Sequence, residues 1–413
     1  MTPPSTAPWS ALALVLCALT PWLDLDESQG DASADEAQVV PTIVLENAAG
    51  EEVRRPLAGF ESEDPRSMGG VLVRFEGLGS RMAPLEGVAI AEVELAAGGK
   101  VHGRLLGGEG ESLDLSLLGA TRLRLSVEEI AALRLHDRIP EDWSEPVVAA
   151  SEGDRLYRAH GAGLDRIDGT LELFSAEGVR METELGSKLF PWDEIAALFI
   201  EVLGEDSAGA YELPVVVDLV DGGRLPVGLE RLSAEGLFLI SASGRRLRLP
   251  LAAVAEFFLV DHDVSFLSDL EPSEALATSP FGDDLGMVWP ARMDLSTSGN
   301  PLRAGGRVWS RGIGVHAPSR LQFTLDGTWK RLRGQVAIDD EVIPLPASGS
   351  ALFRILAGER VLWESPVKHG GDAPTPIPAL DIEGVTNLVL EVAVADEMHI
   401  GDRADWLRVI LSR

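Results

Sequence analysis

Glu129-Ile-Ala-Ala-Leu-Arg-Leu135 returns as Glu194-Ile-Ala-Ala-Leu-Phe-Ile200 and, more loosely, as Ala253-Val-Ala-Glu-Phe-Phe-Leu259. The copies start 65 and 59 residues apart (194 − 129 and 253 − 194). A turn-forming segment precedes each: Gly98-Gly99, Asp165 to Asp168, and Gly222-Gly223. Recurrence at such a period marks a repeated supersecondary unit. Within the first copy, apolar residues alternate with others as Val101, Leu105, then Leu113, Leu115, Leu117, then Leu123, Leu125, Val127. Period two is the signature of half-buried strands. Short strands, tight turns and one helical step at the Glu-Ile-Ala-Ala-Leu segment suffice for a small curled barrel. The pattern predicts a mainly β protein with barrel units at 39–138, 155–202 and 213–262. The first takes in the strand-like runs Thr42-Ile-Val-Leu45 and Val71-Leu-Val-Arg-Phe75. Linker composition, acidic with Gly and Pro, marks 137–153 and 204–209.

The order of strand, Gly turn, Gly-x-Leu strand and late Ile-x-x-Leu strand resembles Sm-like and SH3-like barrels. Sm-like proteins that bind RNA carry basic and amide side chains in their loops, whereas these loops hold Glu109, Glu111, Glu177 and Glu235. Charge points the same way. The chain has 35 Lys and Arg against 66 Asp and Glu, a formal net charge of −31, so a phosphate backbone is repelled over most of the surface and nucleic-acid binding is excluded. The excess is uneven: 21 basic and 46 acidic residues fall in 1–263, but 14 and 20 in 264–413. The two halves therefore present different surfaces. A single cysteine, Cys17, excludes an intrachain disulfide and a cysteine metal cluster.

Residues 7–23 are almost wholly apolar and stop at the acidic run that begins with Asp24. The core is shorter than the roughly 20 residues of a spanning helix, and Pro8 and Pro21 bracket it. Residues 1–34 read as an export signal, with an uncleaved N-terminal anchor as the alternative. The expected location is exported: periplasmic, cell-surface or extracellular.

Beyond Val264 the composition changes, and five of the nine tryptophans fall there: Trp289, Trp309, Trp329, Trp363 and Trp406. Phe266-Leu-Ser-Asp-Leu270, Asn300-Pro-Leu-Arg-Ala-Gly-Gly306 and Arg311-Gly-Ile-Gly-Val-His-Ala-Pro-Ser319 follow one another. After them come Asp339-Asp340-Glu341, Gly349-Ser-Ala-Leu-Phe353, Gly370-Gly-Asp-Ala-Pro374 and Gly401-Asp-Arg-Ala-Asp-Trp406. In this order the motifs closely resemble the NPCBM/NEW2 family, carbohydrate-binding modules attached to glycosidases. Two departures stand near the end: Arg403 where the pattern has His, and Leu407-Arg408 where it has a small-acidic pair. The resemblance implies a galactose-binding-like jelly-roll β-sandwich over 264–413, with ligand loops at one end. Alternation in Leu321, Phe323, Leu325 and in Leu388, Leu390, Val392, Val394 agrees with a two-sheet sandwich, expected to fold alone.

Candidate ligand residues in these loops are His316, Trp309, Asp402, Asp405 and Trp406. His316 either bonds a sugar hydroxyl or ties a loop to the sheet; each tryptophan is either a sugar platform or core. Asp339, Asp340 and Glu341 either chelate calcium or form a solvated acidic turn. No Gly-x-Ser-x-Gly elbow, His-Glu-x-x-His helix, phosphate loop or dinucleotide fingerprint occurs. The expected function is an exported, non-catalytic carbohydrate-binding protein, its sandwich presented to a glycan or polysaccharide by the acidic barrels. The alternatives are a structural envelope protein whose repeats contact protein partners, or a glycoside hydrolase with its site in the middle region.

Overall fold

Strands dominate the computed structural model of the protein, and the only helical elements among the described residues are short 3-10 turns. The structure describes residues 40–413 except 63–70, 79–81, 84, 86, 88, 120, 203–210, 261–262, 278–287, 346–348 and 396–400. The expected export segment 1–34, Cys17 and the linker 204–209 lie outside the described residues.

The three repeat copies share one strand order. In the first, Ile90–Leu95 pairs with Lys100–Glu109 and with Ile130–Arg134, while Lys100–Glu109 pairs on with Ser112–Leu117, and that strand with Thr121–Ser126. Asp154–His160 to Ile195–Phe199 and Pro214–Leu219 to Val254–Leu259 repeat the scheme. The long second strand shifts register between Leu105 and Gly107, Leu171 and Leu173, and Leu229 and Arg231. A bulge bends a strand, so each long strand serves two curled halves. Ile130, Ile195 and Val254 hold one position: each opens the last strand directly after a 3-10 turn, fully buried. The helical step is thus shorter than expected and ends at the glutamate, because Ile-Ala-Ala-Leu is buried strand. Glu129 fixes the turn by accepting from the Ser126 backbone N–H at 2.9 Å.

Two further expectations differ from the structure. The second unit's turn is at Gly161 and Ala162, and Asp165 to Asp168 lie within the strand Gly163–Phe174. These acids face cross-strand arginines, with Arg155 on Asp168 at 2.6 Å and Arg158 on Asp165 at 2.5 Å. A loop-like composition was really one side of an ion-paired ladder. The segment 40–76, grouped on sequence with the first unit, pairs instead with the third: Thr42–Glu46 pairs with Leu72–Glu76, and that strand with Val254–Leu259. Units one and two are joined through their last strands, Leu133 opposite Leu198.

The C-terminal part is the expected β-sandwich. One sheet contains Gly312–His316, Arg403–Ser412, Arg331–Ile338 and Thr375–Asp381; the other contains Ser319–Thr324, Asn387–Val394, Ser350–Ala357 and Arg360–Glu364. Their facing sides enclose a core with Phe323, Phe353, Leu390 and Trp406. Residues 40–413 form one compact unit, and charges are buried where the β units meet the sandwich. Arg408 pairs with Glu256 and lies 3.5 Å from Glu46, which also receives Arg333. Arg311 lies 3.5 Å from Asp218, which Arg224 bonds at 3.0 Å. Leu72, Phe266 and Ile410 form an apolar patch at this junction. Burial pushes Asp218 upward against the pull of Arg311 and Arg224. In Glu256 burial is outweighed by Arg408, Arg307 and the Ser310 hydroxyl, and its carboxyl sits below the usual range.

Candidate functional site

Parity along the strands decides what each candidate residue can reach. Ile313 pairs with Trp406 and Val315 with Ala404, all in the sandwich core. The alternate residues Gly314, His316, Arg403 and Asp405 therefore lie on the outer face of the same sheet. Gly314 is required here: a Cβ would stand 2.3 Å from the Leu295 carbonyl, so only glycine lets the segment 294–301 lie down on the strand. Asp405 is sealed beneath this cover, and the rim remains partly open.

At that rim Trp289, half-buried, stacks on His316 with ring centroids 4.3 Å apart and an angle of 17°. His316 is 7% exposed, and its Nδ1 lies 2.8 Å from the Ala317 carbonyl. Opposite it in register stands Arg403, paired with Glu341 at 3.1 Å. Glu341 also accepts from Ser296 Oγ at 3.2 Å and Asn300 Nδ2 at 3.1 Å. An indole beside a row of oriented donors and acceptors suits a sugar: the ring covers a C–H face and the polar groups take hydroxyls.

The structure corrects the other ligand candidates. Trp406 is fully buried, edge-on to Phe353 at 5.1 Å. Trp309 lies under the Arg307 guanidinium, with its Nε1 donating to the Ala304 carbonyl. Asp402 is fully buried and accepts from the Ser350 backbone N–H at 2.7 Å, clamping two loops together. Asp405 is 1% exposed. These four build the frame, and only His316 reaches the rim. Trp289, Arg403 and Asn300 were missed. Only the unmatched residue at 403 hinted at this edge.

The acidic turn is tied to the backbone around it. Asp339 accepts from the backbone N–H groups of Glu341 at 2.8 Å and Arg303 at 3.1 Å, while Asp340 accepts from Gly305 and Gly306. Three of these four bonds fasten the segment 303–306, and the fourth closes the turn itself. Among the described residues no group of three or more His, Cys, Asp or Glu is arranged to hold a metal ion. Asp339 and Asp405 do meet. Burial, then the adjacent Asp339 carboxylate, raises Asp405 well above the usual carboxylate range, and burial raises Asp339 as well. The raised value favours the protonated form of Asp405, whose carboxyl lies beside that of Asp339.

This pair sets a sign for stability. Above the ordinary Asp value the unfolded chain has lost a proton that the folded chain retains, so the contribution of Asp405 to stability falls as pH rises. Asp405→Asn keeps the donated hydrogen bond without an ionisable proton. It is expected to flatten the melting temperature against pH above about 4; a profile parallel to that of the unaltered protein overturns the shared-proton assignment.

The comparisons with known proteins concern the same region. Alpha-1,3-galactosidase B of Akkermansia muciniphila is 35% identical over 120 residues, 28% of this chain and 14% of that protein. The chain spans 14% and 7% of the length of the first curated relatives it matches. Among solved structures, CBM51 from Clostridium perfringens GH95 in complex with methyl-galactose is 20% identical, covering 36% of this chain and 99% of that one, with a TM-score of 0.32. CBM51-2 with INT domains from Clostridium perfringens ZmpB, in complex with GlcNAc, is 19% identical, covering 48% and 43%, with a TM-score of 0.33. Residues 263–412, the sandwich whose outer rim carries Trp289 and His316, match the NPCBM/NEW2 domain family.

Proposed function

We propose that the protein is an exported, non-catalytic carbohydrate-binding protein whose sandwich takes a neutral glycan at the rim formed by Trp289, His316, Arg403 and Glu341. The observation that carries this reading is the Trp289–His316 stack beside the Arg403–Glu341 pair, on a domain that matches the NPCBM/NEW2 family. The cation at the rim is already neutralised by its carboxylate, which favours hydroxyl ligands over an anion. The β units serve as an acidic support and offer a surface for envelope protein partners. A shallow site with one aromatic contact of about 1 kcal/mol and a few hydrogen bonds exposed to solvent competition gives micromolar to millimolar affinity. Binding at that strength depends on several copies engaging one polymer.

Titration of the protein with galactose-, fucose- and N-acetylhexosamine-containing glycans to millimolar concentration tests the reading. Trp289→Ala is expected to weaken binding about tenfold, the equivalent of roughly 1.4 kcal/mol, at an unchanged melting temperature. No response to any of the three sugar classes would favour a purely structural envelope role.

A further inference from the structure

A cavity of about 1190 Å³ lies between the first and third β units and the sandwich. Small-molecule pockets occupy roughly 300–1,000 Å³, so this one has room for a chain of several units. Its walls include the equivalent turns of two repeats, Gly98-Gly99 and Asp221-Gly222, facing the sandwich segment from Met293 to Ser310.

The lining says what fits. Four basic and six acidic side chains border the cavity, and the cations are mostly engaged: Arg224 with Asp218 and Asp294, Arg74 with Glu52. An anionic ligand is therefore rejected. What stays accessible is a mixture of donors and acceptors, Lys100, Arg307, Glu94 and Glu76, each about half-exposed, beside exposed apolar Val308. Such a mixture matches a ligand that donates and accepts along its length. Asp221 adds a second sign. Its Oδ1 takes the Gly223 N–H, and its Oδ2, one of several buried side-chain atoms without a hydrogen-bond partner, is an acceptor left over beside the cavity. The sandwich segment also links this cavity to the rim: Leu295, Gly299 and Pro301 line the cavity, while Ser296 and Asn300 hold Glu341.

We infer that the cavity is a second glycan site, which takes a neutral oligosaccharide with hydroxyls on Asp221 and Glu94 and a sugar face against Val308. The ligand class rests on the glycan reading above; the addition is that the β units bind ligand themselves.

Amide hydrogen exchange of the full chain, with and without galactose- and N-acetylhexosamine-containing hexasaccharides, tests it. Slower exchange is expected at 98–100 and 221–224 as well as around His316. Val308→Trp fills the cavity from an exposed position; it is expected to abolish protection of the two turns and leave that near His316 intact, with Glu94→Gln weakening the turns' protection should the tryptophan variant fold poorly. Protection near His316 with unchanged exchange in both turns overturns the second site and leaves the rim standing. No protection anywhere at millimolar ligand overturns both.

Discussion

Replacing Arg408 by alanine is expected to cost about 3–5 kcal/mol, the range for removing one member of a buried ion pair. The cause is what remains behind. Glu256 is 4% exposed and Glu46 is 5% exposed, so without Arg408 the buried Glu256 is left with only the longer ion pair to Arg307 at 3.7 Å, while Glu46 keeps Arg333 and Arg74. Arg408 also has φ 46, a left-handed backbone uncommon for a residue with a Cβ, at the register shift opposite Gly334. Holding it there takes support from its partners. The double change Arg408→Met with Glu256→Gln should cost much less, because neither charge is then stranded. Denaturant unfolding followed by intrinsic fluorescence and by circular dichroism measures both. Equal stabilities for the single and the double variant would show that the pair does not hold the β units to the sandwich. The pH dependence has a definite sign: the lowered Glu256 contributes stability above the ordinary Glu value, and that part is lost as acid protonates it. Asp218, raised by burial, acts in the opposite direction, so the comparison to make is Glu256→Gln against the unaltered chain.

Trp406→Ala is expected to destabilise the sandwich by a similar amount, about 3–5 kcal/mol, as a large buried side chain leaves a cavity. Its ring packs on Phe353 and is wholly inside. Sugar binding should disappear together with the cooperative melt. In Trp289→Ala binding should weaken while the melt stays. If Trp406→Ala keeps the native melting temperature and loses only the ligand, Trp406 is a platform and the core assignment falls.

Alternation made the strands legible, because a half-buried sheet writes its own period into the chain; Leu321, Phe323 and Leu388 to Val394 sit where the pattern puts them. It also carried the answer for Trp406, two residues from buried Ala404 and hence on the core face. The tryptophan side chain itself suits a sugar platform as well as a core, so residue type left both readings open where parity decides for the core. Contacts across long separations left no trace. Val73 pairs with Phe257, Glu46 meets Arg333, and Trp289 meets His316 across a gap of chain that follows no period. The departure from the family pattern at Arg408 was visible, and its meaning needed the partner: it is where the sandwich grips Glu256.

The edge-to-edge pairing of Ile130–Arg134 with Ile195–Phe199 bears on how such a chain can be lengthened or shortened. In a solenoid each repeat stacks on the next through equivalent faces, so a copy can be added or deleted with a small change at one junction. Here the first two copies use up each other's open strand. Deleting the second would bare a row of backbone donors and acceptors beside Leu133, the kind of edge that recruits strands from other molecules. A third copy cannot queue at that position either, and the third unit turns instead to Leu72–Glu76. Loss of either of the first two units therefore exposes an edge that the other had covered, whereas the last strand of the third is covered by Leu72–Glu76.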